Sequence, residues 1–176
     1  MIYKTYYNSP LGRIILAANE QALLGVWFDD QQFINVSVVD AAIPEPESAL
    51  LIQTSQWLDD YFAGKRPPVH ALPLAFAGST FRNQVWAMLQ EIPYGETMTY
   101  GEIAATLVAN QAMQRMSAQA VGNAVGHNPF SILVPCHRVL GIQGNLVGYA
   151  GGIDRKRQLL LHEGYAGVPL KEPRKR

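Results

Sequence analysis

The chemistry of this chain concentrates in one run, Asn128-Pro129-Phe130-Ser131-Ile132-Leu133-Val134-Pro135-Cys136-His137-Arg138-Val139. Cys136 is the only cysteine in the sequence, and a lone cysteine is ordinarily a small buried hydrophobe. Its neighbours argue for more, because it follows a proline, ends an apolar strand-like stretch and is followed at once by His137 and Arg138. Neighbouring cationic groups lower a thiol's pKa and raise the share of thiolate, the nucleophilic form. Adjacent residues on a strand point to opposite faces, so His137 reaches Cys136 only where the backbone turns, or through a water. The residues alone support an activated cysteine and go no further. Downstream, Gly141, Gly144, Gly148, Gly151 and Gly152 allow close backbone approach to a ligand. A phosphate-cradling loop is excluded, since no Gly-Lys-Ser/Thr closes the run and no GxGxxG opens a helix after a strand.

The elements that must position these residues can be read from periodicity. Ile2–Tyr7, Arg13–Ala18 and Leu23–Phe28 read as strands of a small antiparallel meander, with turn chemistry at Asn8–Gly12 and Asn19–Gln21. Residues 47–63 change period, with Leu50, Leu51, Thr54, Trp57, Leu58, Tyr61 and Phe62 recurring at three and four. This predicts a helix over one face of the sheet, with Gly64 as its C-cap. Lys65-Arg66-Pro67-Pro68 is a connector, and Leu72, Leu74 and Phe76 alternate as one more strand or an extended crossing. Phe81, Val85, Trp86, Met88, Leu89 and Ile92 form a helical face ended by Pro93 and Gly95. Thr99-Tyr100-Gly101-Glu102 fits a capping box opening a helix with Ile103, Ala104 and Leu107. A further helix spans Ser117 to about Gly126, and a last one spans Arg155–Glu163 with Leu159, Leu160 and Leu161 inward. The pair around residue 110 reads as a helix-turn-helix or as an ordinary αα-hairpin, and periodicity alone favours the hairpin.

The class expected is therefore α+β, with a sheet-plus-helix domain at 1–78 and a mainly helical domain at 79–176. Apolar residues make up 48% and charged residues 16%, the balance of a folded chain rather than a disordered one. No apolar stretch approaches the ~20 residues of a spanning helix, and the first residues lack the apolar core of a secretion leader. One cysteine excludes an internal disulfide and a multi-cysteine zinc site, and a reducing cytoplasm is the expected compartment. The net charge of zero hides an asymmetry: residues 1–80 carry four basic and eight acidic side chains, residues 81–176 ten and six. The basic half could face an anionic partner, or Lys171, Arg174, Lys175 and Arg176 could be a solvated tail.

Taken together, several motifs resemble the O6-alkylguanine-DNA alkyltransferases, also called methylated-DNA–protein-cysteine methyltransferases. They are Phe81…Val85-Trp86, Ile92-Pro93-Tyr94-Gly95, Thr99-Tyr100, Ala120-Val121-Gly122, Asn128-Pro129, Pro135-Cys136-His137-Arg138-Val139, and Gly148-Tyr149-Ala150-Gly151-Gly152 with Lys156, Leu159-Leu160 and His162-Glu163. They run in family order over roughly residues 80–165, whereas the N-terminal region matches only in type.

The resemblance implies DNA repair by irreversible, once-only transfer of an alkyl group from guanine O6 to Cys136, with O4-alkylthymine unranked against it. His137 would take the thiol proton through a water, Glu163 would hold the imidazole, and Asn128 would order the turn presenting Cys136. Tyr100 would donate to guanine N3 as the base departs. The carbonyls of Cys136 and Val139 would accept from the guanine amine, and Pro135, Tyr149, Ala150 and Lys156 would complete the substrate pocket. The helix-turn-helix would bind duplex DNA from the minor groove and rotate the alkylated base out, with Arg115, Ser117, Gln119, Ala120, Gly122 and Arg138 as DNA contacts. No cofactor, metal or membrane is implied, and the protein would act as a monomer.

Two departures fall on the DNA-facing motif. The family usually has an arginine immediately before Ala-Val-Gly, where this chain has Gln119, and the segment between Tyr100 and Gln119 is longer by several residues. At Ala150 some members carry a hydroxyl residue; here the backbone amide would have to donate. Readings from other classes are a lesion-binding protein without transfer, which would lack the acceptor Cys136, and a Cys-His hydrolase, supported only by the adjacency of Cys136 and His137.

Overall fold

The computed structural model describes residues 1–110 and 115–173. The longer segment flagged before Gln119 falls partly on residues 111–114, and Arg174, Lys175 and Arg176 of the basic tail also lie outside the described residues. Two compact units divide the chain: Met1–Ala77 with Pro129–Leu133, and Gly78–Asn128 with the chain from Val134 onward. The first unit thus recruits a short stretch from the far side of the 78/79 boundary.

In the first unit, β1 (Tyr3–Ser9), β2 (Gly12–Ala18) and β3 (Leu23–Phe28) form the expected antiparallel meander, from Tyr3↔Ala18 to Ser9↔Gly12 and from Ile14↔Phe28 to Ala18↔Leu23. β2 is buried on both faces, so it needs cover on both. Helix α2 (Ala49–Phe62) covers one face with Leu51, Trp57, Leu58 and Tyr61. The other face holds Ile15, Ala17 and Trp27, packed against Ile34, Val38 and Val39. Val38 and Val39 sit on a one-and-a-half-turn helix, α1 (Val36–Ala41), that the periodicity did not reveal. Its valines are poor helix formers, and its clearest local signal is Asn35, whose side chain accepts from Val38 N at 3.3 Å. A two-residue strand, β4 (Ile43–Pro44), adds parallel to β1, giving the order β3-β2-β1-β4.

Leu72–Phe76 proves to be an extended crossing. It makes one parallel bridge, Leu23↔Leu74, with Leu23 N donating to Pro73 O and Ala75 N to Leu23 O. Pro129–Leu133 does the same further along β3, where Val26 N donates to Pro129 O at 2.8 Å and Ser131 N to Val26 O at 2.9 Å. These two short segments satisfy the outer edge of β3 without a full strand. The apolar run before Cys136 is therefore not a strand, and Ile132 breaks it at φ 72°.

The second unit is mainly helical, as expected. Helix α3 (Thr80–Leu89) is capped by Ser79, and its Trp86 donates through Nε1 to Ala124 O at 2.8 Å. β5 (Met98–Thr99) leads into α4 (Tyr100–Ala109) through the anticipated capping box: Glu102 N donates to Thr99 Oγ1, and Thr99 N to Glu102 Oε2. α5 (Ala118–Gly126) starts after Ser117, whose hydroxyl accepts from Ala120 N. Ile103, Ala104 and Leu107 of α4 and Val121, Ala124 and Val125 of α5 are buried. β6 (Val139–Leu140) pairs parallel with β5, and α6 (Ile153–His162) closes the unit. Leu159 and Leu160 face inward, but Leu161 is 59% exposed, because a third consecutive residue has turned ~100° further round the helix axis.

Candidate active site

Cys136–Arg138 form one turn of 3-10 helix rather than the end of a strand. Successive side chains on such a turn diverge by about 120° instead of 180°, so the turn that Cys136 and His137 required is present. Asn128 anchors it: Asn128 Nδ2 donates to Val134 O at 2.7 Å, and Cys136 N donates to the same carbonyl at 2.8 Å.

Glu163, the residue ending α6, organises the polar interior. His137 donates from Nε2 to Glu163 Oε2 at 2.6 Å. Arg138 grips the same carboxylate with Nε on Oε1 at 2.7 Å and Nη2 on Oε2 at 3.1 Å, a forked pair. Gly95 N adds a fourth donor at 3.3 Å, and at φ 80° a Cβ there would lie 3.0 Å from Glu163 O. Burial alone would raise the Glu163 pKa. His137 beside it, and after it the forked Arg138, overcome that and hold the carboxyl well below the usual range. Burial pulls the His137 imidazole down, against the attraction of Glu163. The ring is therefore neutral at pH 7, its one proton sits on Nε2 facing Glu163, and Nδ1 carries the lone pair. Nδ1 is buried and has no hydrogen-bond partner among the described residues.

Two expectations need correcting here. Arg138, expected against DNA, is turned inward: its side chain is 12% exposed, Nη1 donates to Ile92 O at 2.7 Å, and the guanidinium lies 5.6 Å from the Tyr94 ring centre. Nor do neighbouring cations activate the thiol at rest. Cys136 is 4% exposed, and burial pushes its pKa up against a hydrogen bond from Asn128 and the charge of Lys156. A protonated thiol beside a neutral imidazole is the resting state. For such a thiol to react its proton must be taken up, and the unpartnered Nδ1 of His137 is a group able to accept one.

Lys156, expected to touch substrate, is also interior. It donates to Val147 O and Gly148 O at 3.1 Å each and to Tyr100 Oη at 3.4 Å, and burial draws its pKa down to about 8. Tyr100 Oη in turn donates to Val147 O at 2.8 Å. These groups back a groove of about 490 Å³ lined by Tyr100, Gly101, Gln119, Gly122, Ile142, Val147 and Gly148 among others. Gly122 lies against the Tyr100 ring, where a Cβ would sit 3.7 Å from Cδ1. Tyr149 Oη is buried with no partner among the described residues, Ala150 is half-buried and Pro135 buried. Val139 N donates to Cys136 O. Gln119, Ser117 and Arg115 are exposed, and Ala120 and Gly122 half-buried.

In the sequence Ile92-Pro93-Tyr94-Gly95 reads only as the end of a helix and a motif of the resemblance, with no role at the site. The structure supplies one, because the Ile92 carbonyl, the Tyr94 ring and the Gly95 amide together enclose the Arg138–Glu163 pair. The Val147 carbonyl, an acceptor for both Tyr100 and Lys156, left no signal, since a backbone oxygen is invisible in residue type. Among the described residues, no group of three or more His, Cys, Asp or Glu is placed to hold a metal, and no helix is long and apolar enough to cross a membrane.

One unit of an α+β chain thus holds a buried thiol, a carboxylate-oriented neutral imidazole and a groove lined in part by α4 and α5. Comparisons with known proteins specify the family. A family model described as the 6-O-methylguanine DNA methyltransferase DNA-binding domain matches residues 80–165, and one described as its ribonuclease-like domain matches residues 2–76. A methylated-DNA–protein-cysteine methyltransferase of Methanosarcina acetivorans is 41% identical over 93% of this chain and 99% of its own length. One from Mycolicibacterium paratuberculosis is 42% identical over 92% and 91%. The crystal structure of Mycobacterium tuberculosis O6-methylguanine methyltransferase superposes with a TM-score of 0.79 at 38% identity, covering 96% of this chain and 97% of that one. A structure of the M. tuberculosis OGT in complex with DNA gives 0.78 at 38% identity over 92% and 91%. The chain belongs to the methylated-DNA–protein-cysteine methyltransferase family.

Proposed function

We propose that this protein repairs duplex DNA by transferring the alkyl group of O6-alkylguanine to Cys136, once per molecule. His137 carries the reading: Nε2 is committed to Glu163 and the lone pair on buried Nδ1 is free to take the proton that the raised Cys136 thiol must lose. In the reaction the thiol proton passes to Nδ1 through a water, Sγ attacks the alkyl carbon, and the carbon–O6 bond breaks. The products are a thioether and a guanine whose developing negative charge is met by a hydrogen bond from Tyr100 to N3, and the proton held on His137 returns through water to neutralise the base. Tyr100 must give up its bond to Val147 O to reach N3, and Lys156 can then hold that carbonyl alone.

The groove beside Tyr100 receives the base, rotated out of the stack, with the Cys136 and Val139 carbonyls facing its amine and the Ala150 amide facing O6. α4 and α5 act as the helix-turn-helix, and Ser117, Gln119, Ala120, Gly122 and Arg115 lie at the duplex. Domain 79–176 thus holds the acceptor and the DNA face, and the protein works as a cytoplasmic monomer. Titration of an O6-methylguanine duplex tests the reading. Restored guanine should plateau at one per protein molecule; continued turnover, or none at all, would sink it.

A further inference from the structure

The loop Gly141–Gly148 supplies four groove residues but little burial of its own. Ile142 is 71% and Val147 46% exposed, and Gln143 adopts a left-handed backbone at φ 57°. Its one deeply buried side chain is Leu146, in a cluster with Leu140 and Leu160 against which Ile153, Tyr165 and Leu170 pack. Two of those partners lie at the chain's end, at and beyond the last residue matched by the DNA-binding-domain model. The backbone there pairs with the loop: Leu146 N donates to Lys171 O at 2.8 Å and Lys171 N to Gly144 O at 2.9 Å. Gly144, at φ 79°, would bring a Cβ within 2.5 Å of Pro169 O, so the contact is too close for any side chain at that position. The segment is itself held, by Tyr165 Oη donating to Val168 O at 2.7 Å and by an ion pair between Arg157 and Glu172. Lys171, whose charge the sequence groups with a solvated tail, is thus paired through its backbone while the residue stays exposed.

We infer that Tyr165–Lys171 is a positioning strap for alkyl transfer. It fixes the loop whose Val147 and Gly148 carbonyls hold Lys156 and Tyr100 behind the groove. The inference rests on the base-binding reading of that groove. A misplaced Tyr100 meets the departing base badly, and displacements of about 1 Å at a reacting centre cost up to about 10²-fold in rate. DNA affinity, carried by α5, should not respond.

Lys171→Pro deletes the amide that Gly144 accepts, and Lys171→Ala keeps it. Single-turnover transfer from an O6-methylguanine duplex should slow about tenfold or more in Lys171→Pro. Its reaction should still run to full amplitude, with unchanged affinity for undamaged duplex and unchanged Cys136 alkylation by iodoacetamide. Amide hydrogen exchange at 144–148 should rise, and Lys171→Ala should match the parent throughout. A Lys171→Pro protein that transfers at the parent rate overturns the strap, as does one that merely loses amplitude in step with thermal stability. A parent protein that transfers no alkyl group overturns the proposed function, and the strap's role in transfer with it.

Discussion

Around Cys136–Arg138 the polar groups are densely engaged, whereas along α5 they are sparse and turned outward. Glu163 accepts four hydrogen bonds and Arg138 makes three, all from buried or nearly buried positions. α5 presents Gln119, Ala120 and Gly122, short or neutral side chains on a helix surface. The difference separates two tasks. A displacement at carbon needs one proton acceptor fixed in tautomer and direction, which a buried network provides. Sequence-independent approach to a duplex needs access more than contacts, which small residues provide. Substitutions in the first region should therefore cost rate, and in the second, affinity.

The largest effect expected is at the acceptor. Cys136→Ala should abolish transfer while leaving duplex affinity near the parent's, measured by a binding titration beside the transfer assay. Coupled loss of both would erase the division of labour. Next, His137→Ala should slow transfer by roughly 10²- to 10⁴-fold. Because burial raises the Cys136 pKa, alkaline rescue should begin above the ~8.5 of a free thiol. A mutant whose rate is flat from pH 7 to 10 contradicts the base role.

Glu163→Gln should slow transfer within the same range and also destabilise the fold by about 3 kcal/mol, since it leaves Arg138 buried without its anion. The sign of its pH dependence follows from a carboxyl held below its unfolded value of about 4.3. The Glu163 contribution is complete above that pH and is lost progressively as pH falls below it. Urea unfolding of parent and mutant should thus differ most near neutrality and converge in acid; a gap that widens in acid would refute the assignment.

The smallest effect is on α5. Gln119→Arg should tighten duplex binding and steepen its salt dependence by up to about one ion. Arg115→Ala should weaken binding if that residue supplies the positive charge missing at Gln119. Affinities at two salt concentrations decide it, and no change in either variant removes both residues from the interface.

What was legible in the sequence follows the same divide. Strands, capping box and helix faces announced themselves through side-chain period, and Cys136 and His137 through residue type and adjacency, whereas the expectations for Glu163 and Asn128 came only from the resemblance to a family. α1 escaped because six residues carry too little period. The resemblance put Arg138 at the DNA and Lys156 at the substrate, and only the arrangement of Glu163, Ile92, Val147 and Gly148 shows why both turn inward. The thiol's raised pKa was unreadable for the same reason, as cationic neighbours in sequence were already engaged in space.

The proposed reaction leaves the alkyl group on Cys136. Tandem mass spectrometry of the protein after reaction with an O6-methylguanine duplex tests it most directly. The account predicts a single methyl on the Cys136 sulfur and none in Cys136→Ala. A methyl on any other residue, or an unmodified protein alongside repaired DNA, would contradict it.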